Sequence, residues 1–498
     1  MIDLSIAAIA EIVGGELADI TPEQAAATRV TGTVEFDSRA VTAGGLFLAL
    51  PGARSDGHDF AAAAVAGGAA VVLAGRPVGV PAIVAPPAVG ADAAASLLEH
   101  DTDGSAAAVL AAIARLAAAV AADLVDGGLT IVGITGSSGK TSTKDLLATL
   151  LSPLGEVVAP PGSFNNELGV PWTVLRATES TDYLILEMSA RHRGNIAALA
   201  AIAVPSIALV LNVGTAHLGE FGSREAIAAT KAELPQAVPA SGAVILNVDD
   251  AAVAAMAELT AARVVRVSRE PGFRNVDVWA DRVTLDDLAR PRFTLHAAGG
   301  EVDVAVGVHG DHQVSNALCA AAAALECGAT LEQVAEALAA ARPVSKHRMQ
   351  VATRDDGVTI ISDAYNANPD SMLAGLKALV WMARQAGEGR RSWAVLGEIA
   401  ELGDDAITEH DRVGRMAVRL DVSRLIVVGT GRSMSAMYHG AVMEGSFGSE
   451  VTMVDDADAV LALLRDELRS GDVVLVKASN ATGLGPLADA LVSDSRRA

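Results

Sequence analysis

The hydrophobic positions of this chain fall into short apolar runs that are separated by longer helical patterns. The runs are rich in Val, Ile and Leu, as is typical of strands buried on both faces of a sheet, and they occupy residues 129–134, 183–186, 207–212 and 243–247. Alanine-rich helical sequence precedes the first run, at residues 106–125. This alternation predicts a mainly parallel α/β sheet in the middle of the chain.

Similar alternation precedes and follows this central block. Upstream, a helix at residues 60–66 lies among short predicted strands at 34–39, 45–50 and 70–74. Downstream, helical sequence separates predicted strands at 358–363, 392–397, 424–429 and 472–477, a Rossmann-like arrangement. The pattern therefore predicts an α/β protein of three domains, with boundaries that place them at residues 1–103, 104–342 and 343–498.

The central domain is expected to contain two further features. Residues 270–310 have the alternation of a β-rich, antiparallel region, and helices are expected at residues 312–326 and 331–341. These elements would close the central domain before the Arg342-Pro343 pair, after which the third domain begins.

One stretch is apolar enough to raise the question of a membrane span. Residues 194–219 contain no Asp, Glu, Lys or Arg, and a segment of that length could cross a bilayer. Pro205 and Ser206 divide it, however, into an alanine-rich helical half and a β-branched half that ends at Asn212. A helix that leads into a buried strand explains this pattern better, so no membrane span is predicted.

Charge and cysteine content restrict the class of protein. The 498 residues include 37 Lys and Arg against 60 Asp and Glu, a formal charge of −23, which argues against a nucleic-acid-binding protein. The two cysteines, Cys319 and Cys327, lie on one predicted helix, roughly 12 Å apart at about 1.5 Å per residue, too far to form a disulfide. With an acidic N-terminus that does not resemble a signal peptide, this predicts a reduced, cytoplasmic protein.

A glycine-rich segment at residues 133–142 lies between a predicted strand and a predicted helix. The small residues 136–139 would let backbone N–H groups surround phosphate oxygens, while Lys140 adds a positive charge and Thr141 offers a hydroxyl to Mg²⁺. The strict P-loop pattern has glycine where this chain has Ile134, so the segment is a variant loop. An ordinary glycine-rich turn is the structural alternative.

Three further residues are candidates for chemistry in the same sheet. Glu187 ends a buried strand, where an α/β sheet binds ligands and a carboxylate can hold Mg²⁺, although such an acid is often only a surface residue. His217 follows the end of another strand, and Lys231 lies in a helical segment. Only six of the 37 basic residues are lysines, and a lysine kept in such a chain can indicate that a compact ammonium or a reactive amine is required. The six are Lys140, Lys144, Lys231, Lys346, Lys377 and Lys477.

Taken together with the loop, several long segments resemble the Mur ligase family in sequence and in order. They are residues 37–52, 163–171, 216–223, 310–317, 346–350 and 363–372. The resemblance extends through the whole chain. It implies a first domain that binds a uridine nucleotide, a central P-loop-type ATPase domain and a Rossmann-like third domain.

The resemblance also implies roles for individual residues. The implied ATP-binding residues are Gly136, Ser137, Ser138, Gly139, Lys140, Thr141, Ser142, Asn316, Arg348 and Asp363. The implied substrate-binding residues are Ser38, Arg39, Asn165, Asn166, Asn366 and Asn368. Two Mg²⁺ ions would be held by Thr141, Glu187, His217 and Lys231, with Lys231 carried as a carbamate. The residues implied to take part in catalysis are Lys140, Glu187, His217, Lys231 and Arg348.

The activity implied by the resemblance is an ATP-dependent amide ligation in peptidoglycan synthesis. Segment 363–372 is most similar to that of the members that add D-alanyl-D-alanine to UDP-N-acetylmuramoyl-tripeptide through an acyl phosphate. The members that add a diamino acid carry Asp-Asn-Pro-Arg, whereas here Asp370 follows Asn368 and Pro369. An acid there would repel a carboxylate rather than bind it. We expect a monomer.

Three alternatives use the same sequence features. Two are amide ligases of the same fold, namely a Mur ligase that adds a diamino acid and a folylpolyglutamate synthase. The third is a nucleotide-gated binding protein that has kept the loop and lost ligation. Retention of Glu187, His217, Lys231, Arg348 and Asp363 together argues against the third, because a non-catalytic switch needs no second Mg²⁺ site.

Overall fold

A computed structural model describes residues 3–52, 55–88, 98, 101–214, 221–270, 275–385, 390–445 and 450–493. The chain folds into two compact units. The first comprises Met1–Gly133, Leu154–Ser189 and Asn195–Ile207, and the second comprises Ile134–Pro153, Ala190–Gly194 and Ala208–Ala498. The boundaries predicted near residues 103 and 342 stay predictions.

The first unit contains a small, mostly parallel sheet. Its five strands, in spatial order, are Glu16–Ala18, Ala82–Val84, Ala69–Ala74, Gly45–Leu48 and Val34–Glu35. Only the first pair is antiparallel. Leu4–Ser5 and Arg29–Val30 form a separate antiparallel pair. The helices of this unit are Ile6–Val13, Pro22–Ala27, Ala61–Ala66, Ser105–Asp126, Gly169–Val174 and Asn195–Ile202.

The helix Ser105–Asp126 is long and apolar enough to cross a membrane by length and composition. Its buried residues include Val109, Ile113, Leu116 and Val120, which recur at helical spacing and form one face. That face packs against other helices of the first unit, the behaviour of a core helix. The uncharged segment 194–219 contains, within its described part, the short helix Asn195–Ile202 and the buried strand Ile207–Val210, as predicted.

A nine-stranded sheet carries most of the predicted central strands. From edge to edge the strands are Gly300–Ala305, Pro291–Ala297, Val278–Leu285, Arg263–Ser268, Ala243–Asn247, Ile207–Val210, Thr130–Thr135, Tyr183–Glu187 and Val157–Val158. The first three pair antiparallel, which confirms the β-rich region expected within residues 270–310. The helices expected at 312–326 and 331–341 are Gln313–Glu326 and Leu331–Ala340.

A separate six-stranded sheet lies within the second unit. Its order is Gln350–Thr353, Thr359–Asp363, Val473–Lys477, Ser392–Leu396, Arg424–Val428 and Val451–Val454. Every pair is parallel except the first. Successive strand residues face opposite sides, so Ile361 packs in one core and Ile360 in the other. This two-sided burial is the physical basis of the predicted Rossmann-like arrangement.

Helices cover the sheets of the second unit. They are Lys140–Leu151, Arg224–Lys231, Glu233–Ala237, Ala251–Ala254, Gln313–Glu326, Leu331–Ala340, Pro369–Gln385, Ala406–Arg419, Arg432–Met443, Ala457–Glu467 and Gly485–Ser493. Short 3₁₀ turns occur in both units, at Gly57–Phe60, Ala255–Glu258, Gly403–Asp405 and Asn480–Thr482. The α/β class predicted from the sequence is confirmed.

Candidate functional site

The glycine-rich loop lies at the start of the helix Lys140–Leu151, as an anion-binding loop requires. Gly139 has a φ of +84°, a conformation that L side chains rarely adopt, and a β-carbon there would lie 2.5 Å from Asn316 Oδ1. Lys140 Nζ donates a hydrogen bond to the Gly136 carbonyl at 2.7 Å. The ammonium is therefore folded back over the loop that it belongs to.

Asn212 holds this loop in shape, a role that the sequence analysis did not assign. Its Oδ1 accepts from the Ser138 N–H at 2.9 Å, and its Nδ2 donates to the Ser138 carbonyl at 3.2 Å. The Asn212 carbonyl accepts from the Ser137 N–H, and the Gly214 N–H donates to Ser137 Oγ. The only signal in the sequence was that Asn212 ends a buried strand.

Asn316 lies beside the glycine-rich loop. It belongs to the first turns of the helix Gln313–Glu326 and is 5% exposed. Its Nδ2 donates to Gln313 Oε1 at 2.9 Å, and its Oδ1 faces Gly139. The structure thus brings together two segments, 136–142 and 310–317, that the sequence analysis had singled out separately.

Lys231 is buried at the end of the helix Arg224–Lys231 and is 7% exposed. Burial, and secondarily the positive charge of Lys140, hold the pKa of its amine well below the usual range. A buried amine of this kind is easily uncharged, and only an uncharged amine takes up CO₂. The environment of Lys231 therefore suits the carbamate that the family resemblance implies.

Arg348 and Asp363 lie at the same end of one antiparallel strand pair of the second unit, Gln350–Thr353 with Thr359–Asp363. The guanidinium carbon of Arg348 lies 4.3 Å above the Tyr365 ring, a cation–π arrangement. The Asp363 carboxylate is 7% exposed, and its Oδ1 accepts from the Met349 N–H at 3.1 Å. Both oxygens of Asp363 already have partners within the chain, since Oδ2 accepts from Lys477 Nζ.

The segment that follows reaches the glycine-rich loop. Asn368 Nδ2 lies 3.5 Å from the Ser137 carbonyl, and its Oδ1 accepts from the Ser371 N–H at the start of the helix Pro369–Gln385. A β-carbon at Gly214 would lie 2.4 Å from Asp370 Oδ2, so this carboxylate stands directly against Gly214. Asn366 is exposed.

In the first unit, Glu187 ends its strand as a fully buried carboxylate. Ser163 Oγ donates to Glu187 Oε2 at 3.1 Å, and Asn165 Nδ2 donates to Ser163 Oγ at 2.9 Å. Asn166 Oδ1 accepts from the Gly169 N–H. Hydrogen bonds thus link the segment 163–171, which carries two implied substrate-binding residues, to the carboxylate of Glu187.

The two candidate uridine-site residues, Ser38 and Arg39, follow the strand Val34–Glu35. The Arg39 side chain is 88% exposed and pairs with Asp37 at 2.7 Å. Hydrogen bonds from Arg39 lower the pKa of the Asp37 carboxyl to about 2. Trp172 Nε1 donates to the Val34 carbonyl at 2.7 Å, which joins this segment to the helix Gly169–Val174.

The metal-binding candidates offer hard oxygen donors. Thr141 is 4% exposed, and Glu187 is fully buried. Within the described ranges, no group of three or more His, Cys, Asp or Glu side chains is arranged to hold a metal ion. His217 lies outside the described residues. The Thr141 hydroxyl and the Glu187 carboxylate are oxygen donors of the kind that suits Mg²⁺, so the chemistry of these two residues fits that ion.

Three family models match the chain. They describe the Mur ligase family catalytic domain at residues 32–120, the Mur ligase middle domain at 134–324, and the Mur ligase glutamate ligase domain at 347–480. The chain is 74% identical over 505 aligned residues to the UDP-N-acetylmuramoyl-tripeptide–D-alanyl-D-alanine ligase of Mycobacterium tuberculosis, covering 99% of this chain and 98% of the relative. It is 70% identical to the ligase of the same name from Mycobacterium leprae, covering 99% of each.

Solved structures give the same result. MurF from Acinetobacter baumannii superposes with a TM-score of 0.81 at 28% identity and covers 99% of both chains. MurF ligase from Thermotoga maritima, solved in complex with ADP, superposes with a TM-score of 0.73 at 26% identity and covers 93% of this chain and 98% of that one.

Proposed function

This chain belongs to the Mur ligase family, and we propose from that membership that it joins D-alanyl-D-alanine to UDP-N-acetylmuramoyl-tripeptide at the cost of ATP. The product is the pentapeptide precursor of peptidoglycan, made in the cytoplasm by a monomeric enzyme. One observation carries the proposal, namely 74% identity over 99% of the chain to a ligase named for this reaction.

The reaction proceeds through an acyl phosphate. The terminal carboxylate of the tripeptide attacks the γ-phosphorus of ATP, and ADP leaves. The free amine of the dipeptide then attacks the activated carbonyl, phosphate departs, and the amine loses a proton. No nucleophile of the protein is required, so positioning and charge stabilisation account for the acceleration.

The residues of the second unit have matching roles. The glycine-rich loop and Lys140 surround the phosphates, and Lys140 can turn from the Gly136 carbonyl toward the negative charge that develops on the transferred group. Arg348 would approach the γ-phosphate side. Asn316, beside Gly139, would contact the adenine.

Thr141, Glu187, His217 and the Lys231 carbamate would hold Mg²⁺. When bound, the ions would neutralise charge on the phosphates. Burial holds the pKa of Lys231 well below the usual range of a lysine, which supports carbamate formation because the uncharged amine is the form that takes up CO₂.

Selectivity for the dipeptide is expected to come from the segment after Asp363. Exposed Asn366 offers a neutral amide to the peptide group or a terminus of a short dipeptide, and Asn368, whose amide contacts Ser137 and Ser371, shapes the segment beside it. Asp370 lies against Gly214, and its negative charge opposes the carboxylate of a free diamino acid, which an arginine at this position would bind. A neutral amide with an adjacent acid therefore favours D-alanyl-D-alanine over diaminopimelate or lysine.

Phosphate release from ATP tests the proposal. The enzyme is incubated with ATP and one pair of substrates in each reaction. The pairs are UDP-N-acetylmuramoyl-tripeptide with D-alanyl-D-alanine, diaminopimelate or lysine, UDP-N-acetylmuramoyl-L-alanyl-D-glutamate with diaminopimelate or lysine, and a folate with glutamate. We expect phosphate release and a pentapeptide product with the dipeptide alone. Release with a diamino acid would identify the diamino-acid-adding enzyme, and release with glutamate and a folate would identify the folylpolyglutamate alternative. ATP binding without release in any reaction would favour the nucleotide-gated binding protein.

A further inference from the structure

Lys477 is one of the six lysines of this chain, and the proposed mechanism does not use it. It ends the strand Val473–Lys477 and is 1% exposed. In the parallel register its Cα lies opposite that of Asp363. Its Nζ donates to Asp363 Oδ2 at 2.5 Å and to the Asn366 carbonyl at 3.2 Å. One buried ammonium thus binds two points of the segment that carries the acceptor-site amides.

The other oxygen of Asp363 extends this connection to Arg348. Oδ1 accepts from the N–H of Met349, the residue next to Arg348. On the other side of Arg348, the His347 carbonyl accepts from the Tyr365 N–H at 3.2 Å. The guanidinium itself stacks on the Tyr365 ring. Both neighbours of Arg348 are therefore tied to the segment that begins at Asp363.

The backbone on both sides of Arg348 has an unfavourable conformation that these hydrogen bonds stabilise. His347 and Met349 have φ angles of +55° and +48°, in the left-handed region that side-chain-bearing residues avoid. Strained residues persist only where the surrounding structure holds them. The Met349 N–H bond to Asp363 and the His347 carbonyl bond to Tyr365 are hydrogen bonds of these two strained residues.

A buried ion pair is a poor device for stability alone, because desolvation offsets much of its attraction and apolar pairs of similar size often do as well. We infer instead that this ion pair fixes the position of the Asp363 carboxylate. Gly375 lies close to the lysine stem, since a β-carbon there would lie 3.2 Å from Lys477 Cδ. The stem therefore has little freedom, and the ammonium is directed at Asp363.

We infer that Lys477 is a positioning residue that acts through Asp363 to hold Arg348 in its reactive orientation. The inference rests on the proposed function, in which Arg348 approaches the transferred phosphate. Misplacement of a reacting group by about 1 Å can cost about 100-fold in rate. Lys477→Met, which keeps the length of the stem and removes its donors, should lower kcat by about that factor. The KM for UDP-N-acetylmuramoyl-tripeptide, whose uridine site is implied in the first unit, should change little.

A double-mutant cycle separates positioning from stability. The variants are Lys477→Met, Arg348→Ala and the two together, with Lys377→Met as the control for loss of an exposed lysine. If Lys477 acts through Arg348, removing Lys477 from the Arg348→Ala variant should have almost no further effect. The change in kcat should stay within about 2-fold, which is the usual scatter in measurements of this kind. Equal fold-losses in both backgrounds would overturn the inference.

Loss of Lys477 alone leaves Asp363 buried without its cationic partner, and this variant can fold poorly. Asp363→Asn combined with Lys477→Met removes both charges and keeps an oxygen for the Met349 N–H. We expect this double variant to regain the thermal stability of the wild type and still to lose the stacking of Arg348 on Tyr365, a readout that does not depend on the implied contact of Asp363 with ATP. Recovery of both the stability and the stacking would mean that the pair only stabilises the fold, which would refute the inference.

A readout without turnover keeps the inference distinct from the proposed function. Stacking on Tyr365 should shift the NMR signal of the Arg348 guanidinium, which Arg348→Ala identifies by its disappearance. Lys477→Met, or the double variant with Asp363→Asn, should abolish that ring-current shift, and Lys377→Met should not. If wild-type enzyme fails to use D-alanyl-D-alanine, the function fails and this shift still decides the positioning role. An unchanged shift would refute that role.

Discussion

The loss of the Asn212 side chain should weaken nucleotide binding, because this amide holds the glycine-rich loop. Asn212→Ala removes the bond from the Ser138 N–H and the bond to the Ser138 carbonyl, 2.9 and 3.2 Å long. Each such bond contributes about 1 kcal/mol, so the variant loses about 2 kcal/mol of the free energy that holds the loop in its observed conformation. Part of the binding free energy is then spent on ordering the loop, so the Kd for ADP should rise about 30-fold.

Asn247 provides a matched control on the neighbouring strand. Its Nδ2 donates to the Leu211 carbonyl at 2.9 Å, one residue before Asn212, and its side chain makes no described hydrogen bond to the loop. Asn247→Ala should cost about 1 kcal/mol of stability and leave the Kd for ADP within about 2-fold of the wild type.

Isothermal titration with ADP, together with urea unfolding of each variant, measures both quantities. Asn212→Asp extends the test. It keeps an acceptor for the Ser138 N–H, loses the donor and adds negative charge beside the phosphates, so it should bind ADP more weakly than Asn212→Ala. Wild-type affinity in Asn212→Ala, or equal loss in Asn247→Ala, would refute the role of this amide in forming the loop.

Three further changes have expected outcomes. Lys140→Ala should lower kcat about 1,000-fold in the phosphate-release assay with an unchanged circular dichroism spectrum, because it removes charge stabilisation from the transition state; near-normal ligation would contradict this. Lys231→Ala should abolish activity, with partial rescue by a small added carboxylic acid, whereas Lys377→Ala should not; equal mild losses would contradict the special role. Burial raises the pKa of the Asp56 carboxyl, but hydrogen bonds from Arg76 and a backbone N–H lower it more, to about 2. This bonding therefore stabilises the fold above pH 4 and is lost as the pH falls through about 2, so Asp56→Asn should cost up to about 2 kcal/mol in urea unfolding at pH 7 and little at pH 2.

The sequence by itself determined the elements and the loop, because both follow from local pattern. Apolar runs bounded by helical sequence identify strands such as Tyr183–Glu187 and Val473–Lys477 closely, since burial on both faces requires continuous apolar residues. The order of small residues, Lys140 and Thr141 identifies a phosphate loop because its chemistry lies within a few residues. The antiparallel strands near residues 278–305 were likewise recognisable from alternation.

Only the tertiary structure decided which residues far apart in the chain are in contact. Asn212 reaches a loop 74 residues away, and Lys477 meets Asp363 across 114 residues. No periodicity encodes these distances, because they depend on which strands become neighbours and on their register. The low pKa of Lys231 has the same origin: burial depends on everything that packs around the amine, and its neighbour Lys140 is brought close only by folding. Local pattern thus predicts candidate reactive groups, while the partners that orient these groups and shift their pKa values come from the packing of distant segments.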